Sequence, residues 1–122
     1  MPIDVRKLIF SKTELRDTFE DYCRRKGLVN AMASIENYEL VTLKSSDLEK
    51  ESLSVTVNFV SPNPKRPITA DLIEDEIVEA LVTACKQLNI PLPRKGHKYI
   101  KPYKEGLMMT MGLNESAVRA MH

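Results

Sequence analysis

Tryptophan is absent, histidine and cysteine occur twice each, and 18 basic side chains nearly cancel 17 acidic ones. Each scarcity removes something. With a net charge of +1 there is no whole-molecule field to recruit a polyanion, so binding to nucleic acid or membrane would have to come from a local patch. Without Trp the chain lacks the commonest ring for stacking sugars or caps, although this alone decides nothing. His97 and His122 leave few parts for a Cys-His or Ser-His pair, and a four-ligand zinc site would need both thiols and both histidines. No run approaches the roughly 20 apolar residues of a membrane span. Met1 to Lys7 lacks an apolar stretch followed by a small-residue cleavage site, so the expectation is a cytosolic protein with reduced thiols at Cys23 and Cys85. The phosphate-cradling glycine motifs, HExxH and GxSxG are all missing.

What remains is an ordinary globular composition, 43% hydrophobic and 29% charged, over 122 residues, which predicts one domain with a real core. Val5 to Phe10 reads as a strand. Ser11 with Glu14 three residues later is a capping box, and Leu15, Phe19, Tyr22 and Cys23 share one face of the helix that follows. Arg24-Arg25-Lys26-Gly27 suits a helix end, where cations meet the negative dipole and glycine turns left-handed. Ile35 to Leu43 is β-rich without clean alternation, and Lys44 to Ser52 is a polar connection. Leu53, Val55, Val57 and Phe59 alternate with polar residues as a half-buried strand does.

Ser61 to Pro67 reads as a rigid Pro-rich crossover, and a second helix starts near Asp71 with Glu74 in capping-box position. Pro91 and Pro93 end it. Leu107, Met109 and Met111 alternate as the core face of a last strand, paired with a short strand near Tyr99-Ile100. Core packing explains the methionines better than a copper site does; Met108 faces the other way and would offer a soft binding surface if exposed. Residues 114–122 form a short capped helix or a frayed tail. The fold expected is α+β, two helices on one face of a mainly antiparallel sheet in the order β-α-β-β-α-β(β), with a ferredoxin-like, split β-α-β arrangement as first choice. Cys23 to Leu28 and Cys85 to Ile90 echo one another, a thiol four residues before a helix stop and an apolar residue after it, as a duplication or helix-end chemistry alone would produce.

The most unusual stretch is Arg94 to Lys104. Arg94, Lys95, Lys98, Lys101 and Lys104 are unmixed with acids and interleaved with His97, Tyr99 and Tyr103. Cations with ring faces suit single-stranded nucleic acid; they equally suit a lysine-protected sheet edge or an acidic protein partner. Lys65 and Arg66 would extend the patch if the fold brings them near. The acids Asp71 to Glu79 crowd a helix start, where negative charge is favourable without any metal.

Ile90-Pro91-Leu92-Pro93-Arg94, followed by Lys98 and an apolar strand, resembles a turn found in small bacterial cytoplasmic proteins, over roughly residues 77 to 113. The resemblance implies structural roles for Pro91, Pro93 and Arg94 and carries no activity, cofactor or partner. The functional expectation is a non-catalytic interaction or adaptor domain that binds an acidic protein surface through residues 91–104, without cofactor, metal or membrane. RNA or single-stranded DNA binding through the same segment is the alternative, and an enzyme assembled from scattered polar residues is a third class.

Overall fold

Serine 11 divides the first strand from the first helix. In the computed structural model, which describes residues 5–44, 51–62, 64–92 and 96–112, β1 spans Val5–Phe10 and α1 spans Lys12–Arg25. The Ser11 hydroxyl accepts from the Glu14 amide at 3.2 Å, and the Ser11 amide donates to the Glu14 carboxylate at 3.0 Å. The helix ends in a Schellman turn. Leu28 N–H donates to the Cys23 carbonyl and Gly27 N–H to the Arg24 carbonyl, with Gly27 left-handed at φ 71°.

β2 (Ser34–Lys44) and β3 (Glu51–Pro62) follow as an antiparallel pair. The pairing shifts between Ile35 and Asn37, and this irregularity is why the β2 sequence does not alternate cleanly. The expected Pro-rich crossover is instead the turn of a second hairpin: β4 runs Lys65–Leu72 and pairs with β3 from Pro62↔Lys65 to Val55↔Leu72. Pro67 is tolerated there because β4 is an edge strand. The second helix, α2, consequently starts later than expected, at Glu74–Gln87; Asp71 belongs to β4, where its carboxylate accepts from the Thr56 hydroxyl at 2.8 Å. Ile73 has no polar side chain to cap with, and only the return half of the box forms, Ile73 N–H to Glu76 at 3.1 Å. β5 (His97–Tyr103) and β6 (Gly106–Gly112) close the chain as the expected hairpin, through the narrow turn Lys104-Glu105.

The strand ladders form two three-stranded antiparallel sheets, β1-β6-β5 and β2-β3-β4, and not the single sheet of a split β-α-β arrangement. The observed order is β-α-β-β-β-α-β-β. It is one β-α-β-β unit used twice. A shift of 62 positions carries α1, Lys12–Arg25, onto α2, Glu74–Gln87; it also carries Glu14 onto Glu76, Cys23 onto Cys85 and the left-handed Gly27 onto the left-handed Asn89 at φ 58°. Both helices end in the same way, with Ile90 N–H donating to the Cys85 carbonyl at 2.9 Å as Leu28 does to Cys23. The echo at the two cysteines is thus the sequence of a Schellman turn written twice. Each half lends its first strand to the other: β1 pairs with β6, and β4 pairs with β3.

The inward rows match as well. Val55, Val57 and Phe59 of β3 are fully buried, as are Leu107, Met109 and Met111 of β6, with Leu15 and Phe19 from α1 and Ile77 and Leu81 from α2 between them. Burying a side chain of this size contributes about 1.5–3 kcal/mol. Phe19 also meets Tyr38 edge-on, with ring centroids 5.4 Å apart.

Gly106 sits where β6 begins under the end of β1, and a Cβ placed there would lie 1.9 Å from the Phe10 carbonyl oxygen. Since backbone has to yield, Gly106→Ala is expected to destabilise the protein by roughly 3 kcal/mol, measured by urea unfolding, whereas Gly27→Ala, which meets no atom within 4 Å, loses only the cost of a left-handed alanine, about 1 kcal/mol.

Candidate functional site

The residues singled out in 94–104 divide by the period of a strand. Ile100 points into the core opposite Met109. His97, Tyr99, Lys101 and Tyr103 therefore share the other face of β5, and Lys98 shares the face of Ile100. Lys98 is half-buried, its ammonium 3.5 Å from the Gly96 carbonyl. Lys104 lies in the hairpin turn at φ 55°, its ammonium 5.5 Å from the Tyr103 ring centroid. Arg94, Lys95 and Pro93 lie outside the described residues, as does the 114–122 tail. Pro91 accepts a hydrogen bond on its carbonyl from the Arg6 guanidinium at 2.6 Å, so the connector is tied to β1. Lys65 and Arg66 are exposed at the tip of the β3–β4 hairpin, in the other sheet from β5. Among the described residues the cations thus do not form one track.

The face of β5 that carries His97, Tyr99, Lys101 and Tyr103 continues across β6 through Met108 and Thr110 and onto β1 through Lys7 and Ile9. Tyr99, Lys101 and Tyr103 are half-buried, and Met108 is only 5% exposed, so the condition for a soft methionine surface is not met. Thr110 is wholly buried between Lys7 and Tyr99 in the ladders, and its hydroxyl has no hydrogen-bond partner among the described residues. At one end of this face a cleft of about 420 Å³ opens between the β1–α1 junction and the β5–β6 turn. Ile9, Lys12, Tyr103, Lys104 and Glu105 line it, and Ile9 is 56% exposed. Sequence reading assigned Ile9 to an apolar strand without a face; the burial of Phe10 and the half-burial of Leu8 on either side were the signal that it points outward.

The basic end of α1 has specific partners beyond the helix dipole. Arg24 pairs with Glu20 at 3.1 Å and donates to the Ala33 carbonyl at 2.8 Å; Arg25 pairs with Asp21 at 3.0 Å; Lys26 pairs with Glu79 of α2 at 2.7 Å. Glu79 also accepts from the Tyr22 hydroxyl at 2.9 Å. The Lys26 ammonium, followed by that hydroxyl, holds the Glu79 carboxyl below its usual range, while burial and the same carboxylate push the Tyr22 phenol far above its own. A second concavity of about 460 Å³, not foreseen from the sequence, lies between the helices, with Asp17 and Thr18 of α1 facing Ala80 and Ala84 of α2.

Both cysteines are fully buried. Burial, with the Glu76 charge second, pushes the Cys23 thiol up to about 11, and burial raises Cys85. Both shifts run opposite to those that make a thiol reactive. Among the described residues no three of His, Cys, Asp and Glu are grouped to hold a metal ion, and no helix is long and apolar enough to cross a membrane. Comparison with family models, with curated proteins and with solved structures finds no match to this chain.

Three outcomes follow. An unfolded thiol ionises near pH 9 while Cys23 stays protonated to about 11, so the stability it contributes is intact below about pH 9 and declines as pH rises toward 11; Tyr22 extends the loss to higher pH. Native protein at pH 8 should leave both thiols unreacted with a maleimide until urea unfolds it. Thr110→Val, which removes the unpaired hydroxyl at nearly constant shape, should stabilise by about 1 kcal/mol in the same unfolding experiment.

Proposed function

We propose that this protein is a non-catalytic binding domain whose β5 edge and adjoining cleft take an acidic, partly apolar segment of another protein. The observation that carries the reading is the cleft at the end of β5, which is lined by Lys12 and Lys104 together with the exposed Ile9, Tyr103 and a single acid, Glu105. A carboxylate with an apolar neighbour suits that mixture better than a bare phosphate chain does. β5 has a hydrogen-bonded neighbour on one side only among the described residues, so its other edge can receive an added strand. Lys101 lies next along the same face. Comparison of the halves supports the specialisation: where β5 carries Tyr99, Lys101 and Tyr103, the corresponding positions of β2 are Asn37, Glu39 and Val41, which reverses the charge. Nucleic acid is the weaker reading, because Lys98 turns to the opposite face and Lys65-Arg66 belong to the other sheet.

The test is a fluorescence-anisotropy titration at low and moderate salt. Its probes are a labelled peptide alternating Glu with Phe, a Lys-Phe control peptide, and oligo-U and oligo-dT. Saturable, salt-sensitive binding of the acidic peptide alone, weakened about tenfold or more by Lys101→Glu with Lys104→Glu, is the expected result. Binding of the oligonucleotides with a steep salt slope and none of the peptide would replace this reading with the nucleic-acid one. Binding of neither would remove the β5 edge from consideration.

A further inference from the structure

The contact between α1 and α2 is two-sided, and the repeat relates its two sides. On one side the Glu79 carboxylate receives an aromatic ring and an ammonium group together: the Tyr22 hydroxyl at 2.9 Å and the Lys26 ammonium at 2.7 Å, the latter 5.7 Å from the Tyr22 ring centroid. The 62-position shift that superimposes the helices carries Asp17 onto Glu79, Tyr22 onto Ala84 and Lys26 onto Leu88. On the other side, therefore, a carboxylate stands in the place of Glu79, but a methyl group stands where the ring should be and Leu88 where the ammonium should be. The space left is the inter-helix cavity of about 460 Å³, bordered by Asp17, Ala84 and Leu88, a volume in the range of small-molecule sites.

The charges around it point to one kind of occupant. Asp21 is paired with Arg25 at 3.0 Å, and Glu14 is engaged by the Ser11 amide at 3.0 Å. Asp17 is solvent-exposed and has no hydrogen-bond or ion-pair partner among the described residues, and no cation lines the cavity. The α2 wall presents Ala80, Ala84 and Leu88, with Thr83 and Gln87 beside them. The three carboxylates are not grouped to hold a metal ion. From this we infer that the cavity binds a small aromatic amine, its ammonium on Asp17 and its ring against Ala80 and Ala84, reproducing from outside the Tyr22–Lys26–Glu79 arrangement that the chain makes for itself on the related side. An anion is repelled by the rim, and a fully hydrated cation would leave the alanine wall unused.

The experiment titrates phenethylammonium, 2-phenylethanol and 3-phenylpropionate, three probes of like size and different charge, into the full chain, following backbone amides by NMR. The amine is expected to give saturable shifts centred on Asp17, Thr83 and Ala84, with the alcohol at least about tenfold weaker and the carboxylate silent. Asp17→Asn should weaken the amine about tenfold and leave the alcohol unchanged. Ala84→Tyr with Leu88→Lys rebuilds the missing half, and should abolish amine binding while raising the melting temperature; if that variant does not fold, Asp17→Asn and the probe series still decide. No saturable shift with amine up to about 10 mM, far above the roughly millimolar dissociation constant of a weak specific site, would overturn the inference. So would equal binding of the three probes, or amine binding indifferent to Asp17→Asn. Acidic-peptide binding at β5 uses other residues and is read separately, so either conclusion can fail alone.

Discussion

Everything in this fold depends on the exchange of first strands between its halves. β1 finds its partner at the far end of the chain, Leu8 opposite Met109 and Phe10 opposite Leu107, while β4 finds β3, with Leu72 opposite Val55. Neither half can close its own sheet. A hairpin alone is marginal in water; here each hairpin gains a third strand from the other half, and that strand leads directly into the helix that covers the core. The close approach of Gly106 to the Phe10 carbonyl is a local cost of this exchange: the two chain ends meet so tightly that only a residue without a Cβ fits. Pairing residues about a hundred positions apart is also slow to find, because loop closure precedes the contacts that reward it. The local Schellman turns and the Ser11–Glu14 box hold the helices in register meanwhile.

A repeat also supplies an internal control. The outer face of the β2-β3-β4 sheet shows a solvated face in this architecture: Asn58 donates to Asn37 at 2.6 Å, Thr69 donates to Asn58 at 3.3 Å, and Thr56 donates to Asp71. Small polar groups satisfy one another across the strands there. The matching face of the other sheet replaces that ladder with Lys7, Met108, Thr110, Tyr99 and Lys101, and leaves a threonine hydroxyl buried and without a hydrogen-bond partner among the described residues. An unsatisfied buried hydroxyl works against stability. Departures from the repeat mark where the surfaces of the two halves differ.

Much of this was legible in the sequence, and the exceptions have identifiable causes. Both helices announced themselves through apolar faces and end signals, and Leu53 to Phe59 and Leu107 to Met111 through alternation, because burial on one face of a strand leaves period 2 in the chain. β4 was missed although Ile68, Ala70 and Leu72 alternate with Thr69 and Asp71. Three prolines between positions 62 and 67 suggested a crossover, and Asp71 imitated a helix cap. An edge strand accepts proline where an inner one does not, and edge position is a tertiary fact. The basic segment stands out in the sequence, but its division between two faces needed the register of β5 against β6. The inter-helix cavity was invisible for a different reason. It exists because Ala84 is small where Tyr22 is large, and an alanine on a helix face is the least conspicuous residue a sequence can show.

The two concavities share a boundary, and the geometry of α1 explains it. Phe10 lines both: the cleft with Ile9 and Lys12, and the cavity with Asp17 and Thr18. The Ser11–Glu14 box lies between them, Ser11 on the cleft side and Glu14 on the cavity side. Phe10 is 6% exposed and is held by the β1–β6 ladder below it. Both surfaces are thus built on the point where the exchanged strand turns into the helix. Placing recognition on rigid elements limits the ordering entropy that binding must overcome. The same exchanged strand that closes the core therefore fixes the walls of both concavities, and a change at Phe10 would reach them together with the fold.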